Sequence, residues 1–92
     1  MVEKIKTAKQ LERHFKGAAN HWRIEILFLI QKNPKVALGN IADRLDCDIK
    51  TISEHVRKLS QSGLVNKKYK GREVEHTLSP YGEKFFAFLK SF

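Results

Sequence analysis

The stretch Thr51–Ser79, TISEHVRKLSQSGLVNKKYKGREVEHTLS, decides the reading of this chain. Starting just before it, Ile49, Ile52, Val56 and Leu59 recur at three, four and three residues, the spacing of one apolar stripe on an α-helix. Asp48 stands where a carboxylate can accept the free N–H groups of that helix's first turn. Gly63 is suited to the left-handed position that ends it, with Leu64 folding back on Leu59. Two strands then follow about a Lys70-Gly71 turn, Leu64–Tyr69 and Arg72–Leu78. In the second, Val74, His76 and Leu78 alternate with Glu73, Glu75 and Thr77, the two-residue period of a half-buried strand.

Upstream, residues Asn40–Leu45 form a short helix with Ile41, Ala42 and Leu45 on one side, and Asp46-Cys47-Asp48 is the turn into the longer one. A short helix, a tight turn and a longer helix make a helix-turn-helix. The glycine stop and the basic hairpin that follow add a wing. Further out, Val2–Phe15 carries Ile5, Ala8, Leu11 and Phe15 at helical spacing, with Gly17 as its breaker. Ala18–Lys32 carries Trp22, Ile26, Leu29 and Ile30 on one wide apolar face and stops at Asn33-Pro34. Ser79-Pro80 opens a last helix, Ser79 as N-cap and Pro80 at its first position. The expected fold is mainly α with a small β-hairpin, a winged helix-turn-helix in the order α-α-α-α-β-β-α, over one domain at residues 1–92.

The 92 residues carry a net charge of +8, which favours polyanionic partners. The apolar run Ile24–Ile30 is broken by Glu25 and is too short to span a bilayer, and the first residues read as no signal peptide. The single cysteine, Cys47, forms no internal disulfide and fits a reducing, cytoplasmic setting.

The polar face of the longer helix holds Lys50, Thr51, Ser53, Glu54, His55, Arg57 and Lys58. Residues near the start of a recognition helix reach base edges, and later ones reach the backbone. Lys50, Thr51, Ser53 and Glu54 are therefore candidates for bases, with lysine suiting guanine and glutamate suiting cytosine. Arg57 and Lys58 are candidates for phosphates, and His55 for a local bond or a phosphate. The alternative for each is a solvated helix face. Lys67, Lys68, Lys70 and Arg72 cluster on the hairpin, where cations would meet phosphates or instead protect a strand edge from aggregation.

The chain resembles the ArsR-type winged helix repressors. Lys16–Leu27, KGAANHWRIEIL, is similar to that family's segment before and into its second helix, including Arg23. Ile52–Val65, ISEHVRKLSQSGLV, is similar to its recognition helix, with Ser53, His55, Leu59, Gly63, Leu64 and Val65 in the family's places. The resemblance covers about Lys16–Ser79, and these motifs separate the family less well from its MarR-like relatives. It implies a cytoplasmic, homodimeric repressor of double-stranded DNA with the terminal helices as dimer interface. Many members carry two cysteines just before the Leu-Ala pair of the motif's first helix. Here that pair is Ile41-Ala42 and the two positions are Ala37 and Gly39, so no metal site and no cofactor are expected, and the effector is unknown.

The four histidines, His14, His21, His55 and His76, lack the i, i+3 or i+4 spacing of a helical metal pair. No glycine-rich phosphate loop, nucleophile elbow or spaced carboxylate pair points to an enzyme. The last helix carries Tyr81, Phe85, Phe86, Phe88 and Phe92. So much aromatic surface on a small chain favours a two-fold dimer through terminal helices 2–15 and 80–91, with Ile5, Leu11, Phe15, Tyr81, Phe85, Phe88 and Phe92 at its interface, the alternative being that the last helix packs on the first helix of its own chain. Such a dimer reads an inverted-repeat operator. A sequence-neutral architectural DNA binder and a winged helix protein-interaction module are the alternatives.

Overall fold

The computed structural model describes residues 5–92. The chain folds as α1 (Ala8–Ala18), α2 (His21–Lys32), α3 (Leu38–Leu45), α4 (Ile49–Gln61), β1 (Val65–Lys70), β2 (Glu73–Leu78) and α5 (Pro80–Lys90). This is the expected element order, and the expected winged helix-turn-helix.

Local chemistry sets most of the boundaries. Helix α4 starts at Asp48, whose carboxylate accepts the N–H groups of Lys50 and Thr51 at 3.1 and 3.2 Å. It ends as the glycine predicted: Gly63 has φ +80°, Leu64 N–H donates to Leu59 O and Gly63 N–H to Ser60 O. Helix α5 starts with Pro80 at its first position and Ser79 Oγ accepting the Gly82 N–H at 3.0 Å.

Other boundaries differ from expectation. The first helix begins at Ala8, because Thr7 and Gln10 cap it reciprocally, so Ile5 lies ahead of it; Val2–Lys4 of the expected helix lie outside the described residues. Gly17 does not break α1 but lies inside it, where any Cβ would overlap the Ser62 side chain. Helix α2 begins at His21 rather than Ala18, since the Asn20 side chain accepts the N–H groups of Trp22 and Arg23. Helix α3 begins two residues early, at Leu38. The strands pair from Val65↔Leu78 to Lys70↔Glu73, so the loop is Gly71-Arg72 rather than Lys70-Gly71. Gly71 has the positive φ (59°) that the first place of such a two-residue loop favours. Ile49 is 49% exposed and is no part of the buried seam, because it is the first residue of α4 and lies beyond the core.

The core sits between α2, α3, α4 and the base of the hairpin. Ile26, Leu27 and Ile30 of α2, Ile41 of α3, Ile52 and Leu59 of α4, and Leu64 are fully buried. Each contributes about 1.5–3 kcal/mol on leaving water. One pairing was not legible in the sequence. Val36 forms an antiparallel bridge to His76, with Lys35 N–H donating to His76 O and His76 N–H to Val36 O. It fixes the hairpin to the segment that leads into α3.

Candidate nucleic-acid interface

Helix α4 presents Lys50, Thr51, Ser53, Glu54, Arg57 and Lys58 to solvent on one side while Ile52, Val56 and Leu59 anchor the other. Two neighbours hold it from its ends. At its start, the Asp48 carboxylate also takes the Thr51 hydroxyl, at 3.5 Å. At its end, α1 reaches across: Arg13 Nε donates to Gln61 O at 3.0 Å, Arg13 Nη2 donates to the same oxygen, and His14 Nδ1 lies 2.6 Å from Ser62 O. These side chains satisfy carbonyls that a helix end leaves free, and Arg13 sets positive charge at its negative pole. Nothing in the local sequence signals that clamp, since its partners are 48 residues apart.

Glu54 and Arg57 are bound to each other as an ion pair and hydrogen bond. The Arg57 guanidinium holds the Glu54 carboxyl below its ordinary range, and Glu54 raises Arg57 in turn. Both are exposed, so the pair adds little stability and opens readily to other partners. Its i, i+3 spacing was readable in the sequence.

His55 differs from the rest of the face. It is only partly exposed, and its Nδ1 is buried without a hydrogen-bond partner among the described residues. Burial lowers its pKa, and the nearby charges of Arg23, Lys58 and His21 lower it further. A neutral imidazole there offers a hydrogen bond rather than a charge.

The hairpin divides its four cations. Lys67 and Arg72 line a cleft of about 330 Å³ between the wing and α3–α4, where Ser53 and Val56 form the opposite wall. Lys68 and Lys70 fall on the other strand face by alternation, and Lys70 lies 3.7 Å from Glu75. Sequence reading passed over Tyr69, which is 73% exposed on the cleft side between Lys67 and Arg72.

His76 forms the floor of this arrangement. It is buried, with Nδ1 2.9 Å from Val36 O, and burial lowers its pKa. With His55 and His76 both below their ordinary value of 6.5, the unfolded chain binds more protons than the folded one as pH falls past that value. Their stabilisation is complete above about pH 6.5 and declines below it. Thermal melts at pH 7.5 and pH 5.5 are expected to show a lower Tm at pH 5.5. His76→Gln should flatten that difference, and a Tm equal at both pH values in the parent chain would contradict the burial effect.

Among the described residues no three His, Cys, Asp or Glu side chains gather as a metal site, and Cys47 is a partly buried free thiol. No described helix is long and apolar enough to cross a membrane. Of the residues expected at a dimer interface, Leu11 and Phe15 lie on α1 and Tyr81, Phe85 and Phe88 on α5, while Ile5 precedes α1, Phe92 follows α5, and Phe85 is half-buried against the core. Phe15 packs edge-on to Phe85 and Phe88, and Phe88 to Phe92. Ile5 and Phe92 are 82% and 90% exposed, and Leu11, Phe15, Tyr81 and Phe88 are also exposed.

Comparison with known proteins agrees with this geometry. The chain is 33% identical over 64 residues to the transcriptional activator HlyU of Vibrio cholerae serotype O1, an alignment covering 70% of this chain and 58% of that protein. The chain thus spans little more than half the length of this curated relative. The solved structure of reduced HlyU from Vibrio cholerae superposes with a TM-score of 0.79 at 26% identity, over 89% of this chain and 86% of that one. A homodimeric winged helix-turn-helix DNA-binding domain from Mycobacterium bovis, described as "a possible ArsR-family transcriptional regulator", shares the fold with a TM-score of 0.83 at 23% identity, covering 99% of this chain and 88% of its own. HlyU is named as a transcriptional activator and the Mycobacterium bovis domain as a possible transcriptional regulator. The model of the HVO_A0114 family matches residues 18–83. The chain belongs to the HVO_A0114 family, and it is a HlyU-like winged helix-turn-helix protein with ArsR-type structural neighbours.

Proposed function

We propose that the protein acts as a homodimer that binds an inverted repeat in double-stranded DNA and regulates transcription from it. The observation that carries this reading is the exposed polar face of α4 flanked by a cationic wing, with Lys67 and Arg72 facing Ser53 across one cleft. An α-helix about 10–12 Å across fits a major groove about 12 Å wide. Lys50, Thr51, Ser53 and Glu54 are the base-reading candidates; Glu54 must first leave Arg57. Lys58, Lys67, Lys68 and Arg72 take phosphates, Arg57 and Lys70 join them only on leaving Glu54 and Glu75, and His55 contributes a neutral hydrogen bond.

The dimer reading rests on the aromatic face. Six exposed apolar side chains from the terminal segments, Ile5, Leu11, Phe15, Tyr81, Phe88 and Phe92, with the half-buried Phe85 beneath Phe15 and Phe88, are apolar surface that a lone domain of this size leaves in water. A two-fold copy covers it, and the Mycobacterium bovis neighbour is described as homodimeric. All 92 residues then serve one DNA-binding domain with its dimer helices, acting in the cytoplasm. The regulatory sign follows operator position: a site overlapping a promoter represses, whereas the HlyU relative is named an activator.

Selection from a randomised duplex pool at about 0.15 M salt, where exposed charge attraction is largely screened, tests the reading. The expected product is an inverted repeat with half-site centres about one turn, 10 base pairs, apart, bound by a species of twice the monomer mass in sedimentation. Binding without enrichment would replace operator recognition by an architectural role. No duplex binding would redirect the fold to a protein partner.

A further inference from the structure

The wing occupies one side of α4, and the opposite side carries a second concentration of positive charge. A shallow concavity there is lined by Lys9, Arg13 and Lys16 of α1, Arg23 of α2 and Lys58 of α4, with Glu12 its one carboxylate. Five cations against one acid leave a net charge of +4. Glu12 is shared between Lys9 at 3.8 Å and Lys16 at 3.9 Å, exposed pairs that neutralise little. Arg13 is held on Gln61 O, and Arg23 Nη1 donates to Gly17 O at 3.1 Å, while Arg23 Nε is buried without a hydrogen-bond partner among the described residues.

The placement matters because of how a duplex surrounds a helix in its groove. A major groove has a phosphate strand along each wall. On α4, Ser53 and Val56 face the wing cleft, whereas Lys58 and Gln61, with Ser62 just beyond the helix, face the concavity. At 100° per residue, Ser53 and Lys58 lie about 140° apart around the helix axis. A helix seated in the groove therefore has the wing toward one wall and the concavity toward the other.

We infer that this concavity is a second phosphate-binding site, in which Lys9, Lys16, Arg23 and Lys58 meet the DNA strand across the major groove from the strand met by the wing. The inference rests on the duplex-binding reading above. It assigns a role to Lys9, Lys16 and Arg23, which lie outside the helix-turn-helix and the wing. Arg23 and Arg13, both anchored to backbone carbonyls, form the fixed wall; Lys9 and Lys16 are mobile donors at its rim.

The test is ethylation interference and the salt dependence of duplex binding for Lys9→Gln/Lys16→Gln. Lys32→Gln, on an exposed surface elsewhere, is the control for loss of charge alone. Each phosphate contact contributes about 0.9 to the slope of log K against log salt. In a dimer the double variant should flatten the slope by up to about 3.6, four contacts at that value. It should also erase interference on the strand away from the wing and keep interference on the wing strand. A double variant that behaves like Lys32→Gln, with both strands still protected, overturns the inference and leaves the duplex reading intact. A parent chain that gives no interference on either strand overturns both.

Discussion

Gly82→Ala is expected to unfold the domain at temperatures where the parent chain is intact, lowering Tm by more than about 10 °C. Gly82 is the third residue of α5 and lies buried against the backbone that leaves α4. An added Cβ would overlap the Leu64 carbonyl oxygen, lie 3.1 Å from the Leu64 carbonyl carbon and 3.3 Å from Leu78 Cβ. The obstacle is backbone and cannot rotate aside. It is also fastened in place: Ser79 N–H donates to Leu64 O at 3.0 Å, Ser79 Oγ–H to Gly63 O at 2.6 Å, and Gly82 N–H to Ser79 Oγ at 3.0 Å. Helix α5 must lift away, breaking those bonds and uncovering Phe85 and Leu89, which pack on the core.

Overpacking commonly costs about 1–3 kcal/mol, and a backbone obstacle places this case at the upper end or above. Against a total stability of about 5–15 kcal/mol that is a large share. Near 90 residues each kcal/mol moves Tm by about 4–8 °C. Gly39→Ala is the contrasting control. Gly39 lies in α3 with open space around its missing Cβ, so alanine should leave Tm unchanged or raise it through helix propensity of up to about 1 kcal/mol. Melts followed by circular dichroism compare the two, and a Gly82→Ala transition within a few degrees of the parent would refute the close approach.

The contrast between Gly63 and Gly82 shows which features the sequence discloses. Gly63 ends a periodic helix, and its role depends on Leu59, Ser60 and Leu64, all within a few residues. Asp48, Ser79 and Pro80 are readable for the same reason. Gly17 and Gly82 are pressed against Ser62 and Leu64, which come close only in the folded chain, so Gly17 reads as a helix breaker although it lies within a helix. The His76–Val36 bridge and the Arg13 and His14 contacts to the end of α4 are equally non-local. Within the interface, the separation of Lys67 from Lys68 and Lys70 follows from strand alternation and was available from the period of two. The grouping of Lys9, Lys16, Arg23 and Lys58 was not, because three helices contribute to it.

Duplex affinity is expected to fall by at least about 10⁴ between 50 and 200 mM salt. The magnitude follows from counting the cations that are free to meet phosphate. Of the seven on α4 and the wing, Arg57 is paired with Glu54 and Lys70 with Glu75. With Lys50 kept for a base edge, Lys58, Lys67, Lys68 and Arg72 remain, four per protomer and eight per dimer. At about 0.9 per phosphate the dimer gives a slope near −7, which over a fourfold rise in salt is about 10⁴ in affinity, and contacts of Lys9, Lys16 and Arg23 steepen it further. A monomer on a half-site gives about half that slope and a loss below about 10³, so one titration also reports how many protomers engage. Lys67→Ala/Arg72→Ala should weaken all duplexes alike and flatten the slope by about 3.6, since phosphate contacts position without reading sequence. Thr51→Ala should leave the slope unchanged and alter base preference at particular positions, because its hydroxyl lies at the start of the recognition helix. A slope shallower than about −4 in the parent chain would exclude a dimer using both wings, and equal loss across sequences in Thr51→Ala would remove that residue from base reading.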